Sequence, residues 1–153
     1  MTLFQAPEYD PKRDKRRKQI IVIAVVAALL LTYVGWTFRH WREERVVDHF
    51  FQAIEHKDYE TAYAIWMADP NWKQHPEKFK NYPFGAFELD WGPTGEYGTI
   101  TRHRIAKTFT PKGGGSGVIV VAFLNDRREP VALWVESKDH SMTYSPQEAT
   151  VQP

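Results

Sequence analysis

The sequence predicts an α+β protein in which a single N-terminal transmembrane helix precedes a small domain of two or three helices packed on an antiparallel sheet. Three observations support this fold class. An uncharged apolar run is followed by two amphipathic helical patterns, and the last third alternates apolar stretches with polar turns. The predicted organisation is a cytoplasmic basic tail at 1–19, a transmembrane helix at 20–38, an extracytoplasmic domain at 39–146 and a disordered tail at 147–153.

The apolar run at residues 20–38 contains nineteen residues and no charge. As a helix it would be about 28 Å long, close to the hydrocarbon thickness of about 30 Å. A cleaved signal peptide also has a basic start and an apolar middle, but no A-x-A cleavage pattern follows Leu31. A buried core helix is rarely apolar on every face over this length. We therefore expect an uncleaved anchor in the lipid bilayer.

The charges that flank this run predict its direction. Six cations precede it, at positions 12, 13 and 15–18, whereas three arginines follow it and alternate with Glu43 and Glu44. The positive-inside rule then places the N-terminus in the cytoplasm. We expect a single-pass protein of the cell membrane whose C-terminal domain is extracytoplasmic, and periplasmic if the envelope has two membranes.

The distribution of charge argues against nucleic-acid binding. Residues 1–45 carry nine Lys/Arg and five Asp/Glu, whereas the remaining residues carry eleven and fourteen, a balance of −3. A domain that binds nucleic acid concentrates positive charge on its folded part, because phosphate contacts dominate its affinity. The chain also contains no cysteine, which excludes disulfides, thiolate metal sites and cysteine nucleophiles.

Two helices are predicted after the membrane span. The first has apolar residues at three- and four-residue spacing, and Asp58 is placed to cap the second. Residues 71–98 then contain seven aromatic side chains among three prolines, with no sustained period beyond a short helix near residues 77–80. We expect this segment to wrap over the core. The apolar positions of the first helix are Val46, Val47, Phe50, Phe51 and Ile54.

The last third is predicted to be a β-meander. In a strand at residues 98–109, strict alternation places His103, Ile105 and Phe109 on one face, opposite Arg102, Arg104 and Ala106. Residues 118–124 are apolar at every position, as in a central strand covered on both faces. Residues 130–136 and 141–144 supply further strands. The glycine run at 113–117 is a turn and not a phosphate-binding loop, because a strand follows it.

The two helices carry the pattern A-I-x-x-x-D-Y-x-x-A-Y, which resembles the opening of the nuclear-transport-factor-2-like (cystatin-like) superfamily. This resemblance implies a curved, cone-like sheet. In membrane-anchored bacterial members a span precedes this element, and the domain lies outside the cytoplasm. The third helix of that fold would have to be replaced by residues 72–91. The residues that carry the pattern are Ala53, Ile54, Asp58, Tyr59, Ala62 and Tyr63.

Enzymes of this superfamily place an Asp or His with a Tyr inside the cone, which makes His103, Asp90 and Tyr97 the catalytic candidates by resemblance. An acid or base needs a tuned pKa and reach to a substrate, and His103 between two arginines on a strand is typical of a half-exposed histidine. His49 and His56 lie about 10.5 Å apart along a helix, too far to share a metal ion. We expect no catalytic residue, no enzyme activity, no metal site and no cofactor.

A candidate pocket consists of large aromatic side chains that could surround a small molecule, because ligand sites are concave and mostly apolar. The same side chains could instead fill the core. We favour a filled core, because no charged residues converge with them in the sequence pattern. The candidate pocket residues are Trp66, Trp72, Trp91, His103 and Trp134.

These features favour a non-enzymatic binding or scaffold domain that contacts an envelope protein or forms a homo-oligomer. One alternative is a small-molecule-binding or cyclase/isomerase-like domain that uses the cone interior. Another rests on similarity to assembly factors of membrane respiratory oxidases, which combine a single span with a small domain and a late tryptophan, here Trp134.

Overall fold

A computed structural model describes residues 11–145 of the chain. The chain divides into two units, residues 1–39 and residues 40–153. The first ten residues of the predicted basic tail and the predicted disordered tail at 147–153 lie outside the described residues.

The first unit contains helix α1, Pro11–Thr37, which begins within the basic segment and runs through the apolar stretch. The helix is long and apolar enough to cross a membrane. Its apolar side chains are exposed, and Leu31 reaches 74 %. Within the helix, the hydroxyl of Thr32 donates a 2.8 Å hydrogen bond to the carbonyl oxygen of Ala28, so that polar group is satisfied without water.

Helices α2, Trp41–Glu55, and α3, Tyr59–Trp66, open the second unit. The apolar positions of α2 face the core, since Val47, Phe50 and Phe51 are fully buried. Asp58 caps α3 by accepting a 3.1 Å hydrogen bond from the backbone N–H of Thr61, as predicted. Hydrogen bonds from Thr61 lower the pKa of Asp58 because they stabilise the carboxylate.

The aromatic segment after α3 is more regular than expected. Two 3-10 turns, Trp72–Gln74 and Pro76–Phe79, precede helix α4, Phe84–Trp91. The prediction placed a short helix near residues 77–80 and missed α4, because two helical turns are too short to establish a period. Phe87 and Trp91, one turn apart, are the buried residues of α4.

Four antiparallel strands in the order β1-β2-β3-β4 complete the unit, which confirms the α+β class and the predicted meander. The hydrogen-bonded order follows the chain, so each connection joins neighbouring strands. The strands are β1, His103–Phe109; β2, Gly117–Leu124; β3, Val131–Glu136; and β4, Met142–Tyr144.

The predicted face of Phe109 is wrong because β1 contains an irregularity. Ile105 pairs with Ala122 and Lys107 pairs with Val121, so Ala106 is an extra residue in the ladder. A one-residue insertion exchanges the two faces of a strand. His103 and Ile105 therefore face the helices, whereas Phe109 points to the other side with its partner Ile119.

The core lies between the helices and one face of the sheet. Strand β2 contributes four of its residues to this core, and residues Ile119 and Val121 on its opposite face are also buried. The prediction of a central strand covered on both faces is confirmed. Its four core residues are Val118, Val120, Ala122 and Leu124.

Candidate functional site

The space between the helices and the sheet is filled by aromatic rings. The ring of Phe50 lies at its centre, with ring centroids 5.0 Å from Trp91, 5.4 Å from Trp66 and 6.1 Å from Phe87. Trp91 is 1 % exposed and stacks on Tyr97 and on Tyr144. Among the described residues its indole N–H has no hydrogen-bond acceptor, which indicates that packing alone holds it.

The structure brings together part of the candidate pocket set. Trp66 and Trp91 are in contact, with ring centroids 5.5 Å apart. Trp72 packs at the margin of the same core against Tyr63. Trp134 lies on the opposite face of the sheet, because β3 alternates and Val131, Leu133 and Val135 take the core side.

His103 is held by two carboxylates of α2. Its Nδ1 lies 2.7 Å from Glu55 Oε1 and its Nε2 lies 3.0 Å from Asp48 Oδ1. The His103 side chain is 9 % exposed and packs against the ring of Phe51. Both ring nitrogens are occupied, so the histidine connects β1 to α2.

We expect His103→Ala to lower the free energy of unfolding by about 2 kcal/mol, since two carboxylates lose a buried partner. A double-mutant cycle with Glu55→Ala, followed by thermal unfolding of the full chain in detergent, measures the interaction energy between His103 and Glu55 directly. A coupling energy of about 1 kcal/mol is expected for a partly buried contact. Strict additivity of the two single variants would contradict this role.

The other catalytic candidates are not beside His103. Asp90 and Tyr97 border a recess with Tyr144, whereas His103 borders a different one with Arg104. Asp90 Oδ2 accepts a 2.7 Å hydrogen bond from the hydroxyl of Tyr82. The three residues therefore do not form one acid–base site.

An open cleft with mostly apolar walls lies next to the core of the second unit. This aromatic cleft has a volume of about 300 Å³ and lies between α3, the aromatic segment and β4. Lys78 and Asn81 add polar groups to its lining. The apolar walls are formed by Trp66, Met67, Phe79, Tyr82, Met142 and Tyr144.

Tyr82 is the best-anchored wall of the aromatic cleft. Its backbone carbonyl oxygen accepts a 2.6 Å hydrogen bond from the hydroxyl of buried Tyr63, and its own hydroxyl donates to Asp90. Another wall residue, Tyr144, is 42 % exposed. Sequence reasoning identified Trp66 and missed the rest, because the walls come from three separate segments with no shared spacing.

Burial and the hydrogen bond to Asp90 raise the pKa of Tyr82, and burial also raises the pKa of Tyr97 and of Tyr144. Because the folded pKa values exceed the ordinary value of about 10, the stability contributed by the neutral phenols is complete below pH 10. It is lost as the pH rises through 10 towards the folded values.

We therefore expect the melting temperature of the full chain to fall steeply above about pH 10. Tyr82→Phe should make this fall shallower, since phenylalanine cannot ionise. Circular dichroism in detergent at a series of alkaline pH values measures both the unmodified chain and the variant. Identical pH profiles for Tyr82→Phe and the unmodified chain would contradict the assignment.

Within residues 11–145, no group of three or more His, Asp or Glu side chains lies close enough to hold a metal ion. No protein-family model, curated protein or solved structure matches the chain.

Proposed function

We propose that this chain is a single-pass membrane protein that holds a non-enzymatic binding module outside the cytoplasm. The exposed apolar surface of α1 supports insertion in lipid, because lipid-facing side chains need no protein cover. The excess of cations before the span supports a cytoplasmic N-terminus. The module binds an envelope protein through the aromatic cleft.

The observation that carries the proposal is an open aromatic cleft beside a filled interior. Phe50, Phe87 and Trp91 are fully buried in the middle of the domain with their rings in contact, which favours binding at the surface. The aromatic cleft offers an apolar concavity with one half-exposed wall, Tyr144. Such a site accommodates one large apolar side chain of a partner, as in interface hot spots.

The geometry of the catalytic candidates supports a binding role over an enzymatic one. His103 has both ring nitrogens engaged by Asp48 and Glu55. A phenol is neutral at physiological pH, and burial raises the pKa of Tyr82 and of Tyr97 further from that range, so neither is poised to act as a base.

Membership of the nuclear-transport-factor-2-like superfamily, with its cone-like sheet, is part of the proposal. Its support is the A-I-x-x-x-D-Y-x-x-A-Y pattern across α2 and α3, followed by an antiparallel meander. Helix α4 supplies a third helix from the aromatic segment, where that superfamily has one.

A second candidate function is the binding of a small apolar molecule in the same cleft. The volume of about 300 Å³ favours it, because this value lies at the lower end for ligand sites. An apolar molecule would compete with the partner side chain for the same walls.

The proposal is tested by purifying the full chain from its native membranes in mild detergent. We expect a stoichiometric partner protein whose recovery falls about tenfold or more in Tyr144→Ala, since loss of an aromatic hot spot costs 2 kcal/mol or more. Tyr97→Ala is the matched control, because Tyr97 also stacks on Trp91 but does not line the aromatic cleft.

The outcomes separate the candidates. A partner that is lost from Tyr144→Ala and retained by Tyr97→Ala supports docking at the aromatic cleft. Recovery of the unmodified chain as a lone monomer carrying a bound apolar molecule would favour the second candidate, and recovery as an empty monomer would contradict both.

A further inference from the structure

The sheet has a second apolar face, turned away from the helices. Through the ladder, Phe109 pairs with Ile119 and Ile119 with Trp134, while Val121 pairs with Ala132. None of these residues belongs to the core cluster that the helices share. We call this surface the outer sheet face. Its apolar residues are Ile119 and Val121, which are buried, and Phe109, Phe123, Ala132 and Trp134, which are half-buried.

Two cations lie on top of the aromatic rings of the outer sheet face. The guanidinium of Arg104 is 4.9 Å from the centre of the Phe123 ring, and Lys107 Nζ is 5.2 Å from that of Phe109. Neither cation forms an ion pair with an acidic residue among the described residues. Their stems cover apolar surface while their charges stay accessible.

The charge of the outer sheet face is opposite to that of the rest of the domain. Residues 46–153 carry eleven Lys/Arg and fourteen Asp/Glu, a balance of −3. On β3, the alternation that places Ala132 and Trp134 on this face adds Glu136, which accepts a hydrogen bond from the hydroxyl of Ser116. The outer sheet face thus carries two cations, Arg104 and Lys107, and one carboxylate, Glu136, a balance of +1.

We propose that the outer sheet face binds the surface of a bilayer that contains anionic phospholipid. Arg104 and Lys107 would pair with lipid phosphates, and Trp134 would enter the headgroup layer that tryptophan prefers. This inference rests on the membrane anchoring in the proposed function. Only residues 38–40 separate α1 from α2, so the anchor keeps the domain at a high effective concentration near the bilayer.

Other occupants fit the outer sheet face less well. A second copy that used the same face would bring together four cations, Arg104 and Lys107 of each chain, and two carboxylates, Glu136 of each chain, so an excess of like charge would have to be buried. A nucleic acid is bound through many phosphate contacts, and the outer sheet face offers two cations for them. A flat apolar floor with cations over its rings instead matches the chemistry of a membrane interface.

The test uses the full chain reconstituted in vesicles. Because the chain has no cysteine, Ala132→Cys gives a single attachment point for a fluorophore on the outer sheet face. Gln74→Cys, an exposed position on the first 3-10 turn, gives the matched control. If labelling at residue 132 disturbs folding, Thr143→Cys, which pairs with Trp134, replaces it. A quencher is carried on the lipid headgroup.

In vesicles of phosphatidylglycerol mixed with phosphatidylcholine, we expect several-fold stronger quenching at residue 132 than at residue 74. The double variant Arg104→Gln, Lys107→Gln should reduce the ratio of docked to undocked domain about fivefold for each cation removed. Phosphatidylcholine alone should give a similar loss, and high salt should weaken docking in the mixed vesicles.

Three results would overturn the inference, and they are distinguishable from failure of the anchor. Equal quenching at residues 132 and 74 in a chain that floats with the vesicles would reject docking and leave the anchor intact. If the fluorophore at residue 132 becomes buried in lipid-free detergent, and more so as the protein concentration rises, the outer sheet face would be assigned to contact with a second copy. Quenching that survives the double variant would reject recognition of anionic lipid. Failure of the chain to float with vesicles would contradict the proposed function itself.

Discussion

Trp91→Ala is expected to lower the free energy of unfolding by about 3–5 kcal/mol, the range for a fully buried aromatic side chain. Trp91 is enclosed by Phe50, Trp66 and two stacked tyrosines, so its removal leaves a cavity that these rings cannot close. For a domain of this size, each kcal/mol lowers the melting temperature by roughly 4–8 °C. Near-UV circular dichroism of the full chain in detergent follows the unfolding.

Two variants make this experiment specific. Trp91→Phe keeps an aromatic ring and removes an unpaired N–H, so it should cost only about 1 kcal/mol. Leu89→Ala, in the same helix but 68 % exposed, should change stability by less than about 0.5 kcal/mol. A Trp91→Ala chain as stable as the Leu89→Ala chain would mean that the interior is a loosely filled pocket, contrary to the packed core.

Gly117→Ala is expected to destabilise the domain by about 3 kcal/mol or more, which is the upper range for overpacking. A Cβ at residue 117 would overlap the backbone carbonyl oxygen of Val135 and approach two ring atoms of Trp134 to 2.9 Å. The backbone of β3 cannot yield without breaking its pairing with β2. Thermal unfolding measures the loss.

Gly113→Ala is the matched control for this change, because it lies in the same glycine run and a Cβ there would meet no atom within 4 Å. We expect Gly113→Ala to leave the melting temperature nearly unchanged or slightly raised, since alanine restricts the unfolded chain. Equal effects of the two substitutions would show that flexibility of the run, and not the close approach at Gly117, is what the fold requires.

The order of elements was predictable because it depends on local chemistry. Helical spacing predicted α2, the carboxylate of Asp58 predicted the start of α3, and the uniformly apolar run at 118–124 predicted β2. Each of these signals lies within a few residues of the element it specifies, so no knowledge of tertiary contacts was needed.

The faces of β1 were not predictable from alternation alone. The irregularity at Ala106 moves each later side chain of β1 to the face opposite to the one that strict alternation predicts. Nothing in the sequence from Arg104 to Lys107 indicates an extra residue. The consequence is large for function, since Phe109 and Lys107 belong to the outer sheet face and not to the side that His103 occupies.

The candidate site was predictable only in part. Trp66 and Trp91 were both among the candidate pocket residues, and the structure brings their rings into contact. Trp134 was grouped with them by residue type, but its position on β3 places it across the sheet. The hydrogen bonds of His103 with Asp48 and Glu55 join residues about fifty positions apart, which a single sequence does not reveal.

The proposed binding surfaces both depend on where α1 places the domain. The aromatic cleft needs a partner that the domain can meet outside the cytoplasm, and the outer sheet face needs a bilayer within reach. The same residues would have no such partners in a chain released by cleavage after the apolar run, or in one with the opposite orientation.

The most direct measurement is protease protection in sealed, right-side-out membrane vesicles, using a full chain tagged at both ends. We expect protease added outside to remove the C-terminal tag, while the N-terminal tag survives on a fragment that stays in the membrane until the vesicles are opened. Survival of the C-terminal tag with loss of the N-terminal one, or recovery of the domain from the soluble fraction without its first 38 residues, would contradict this expectation.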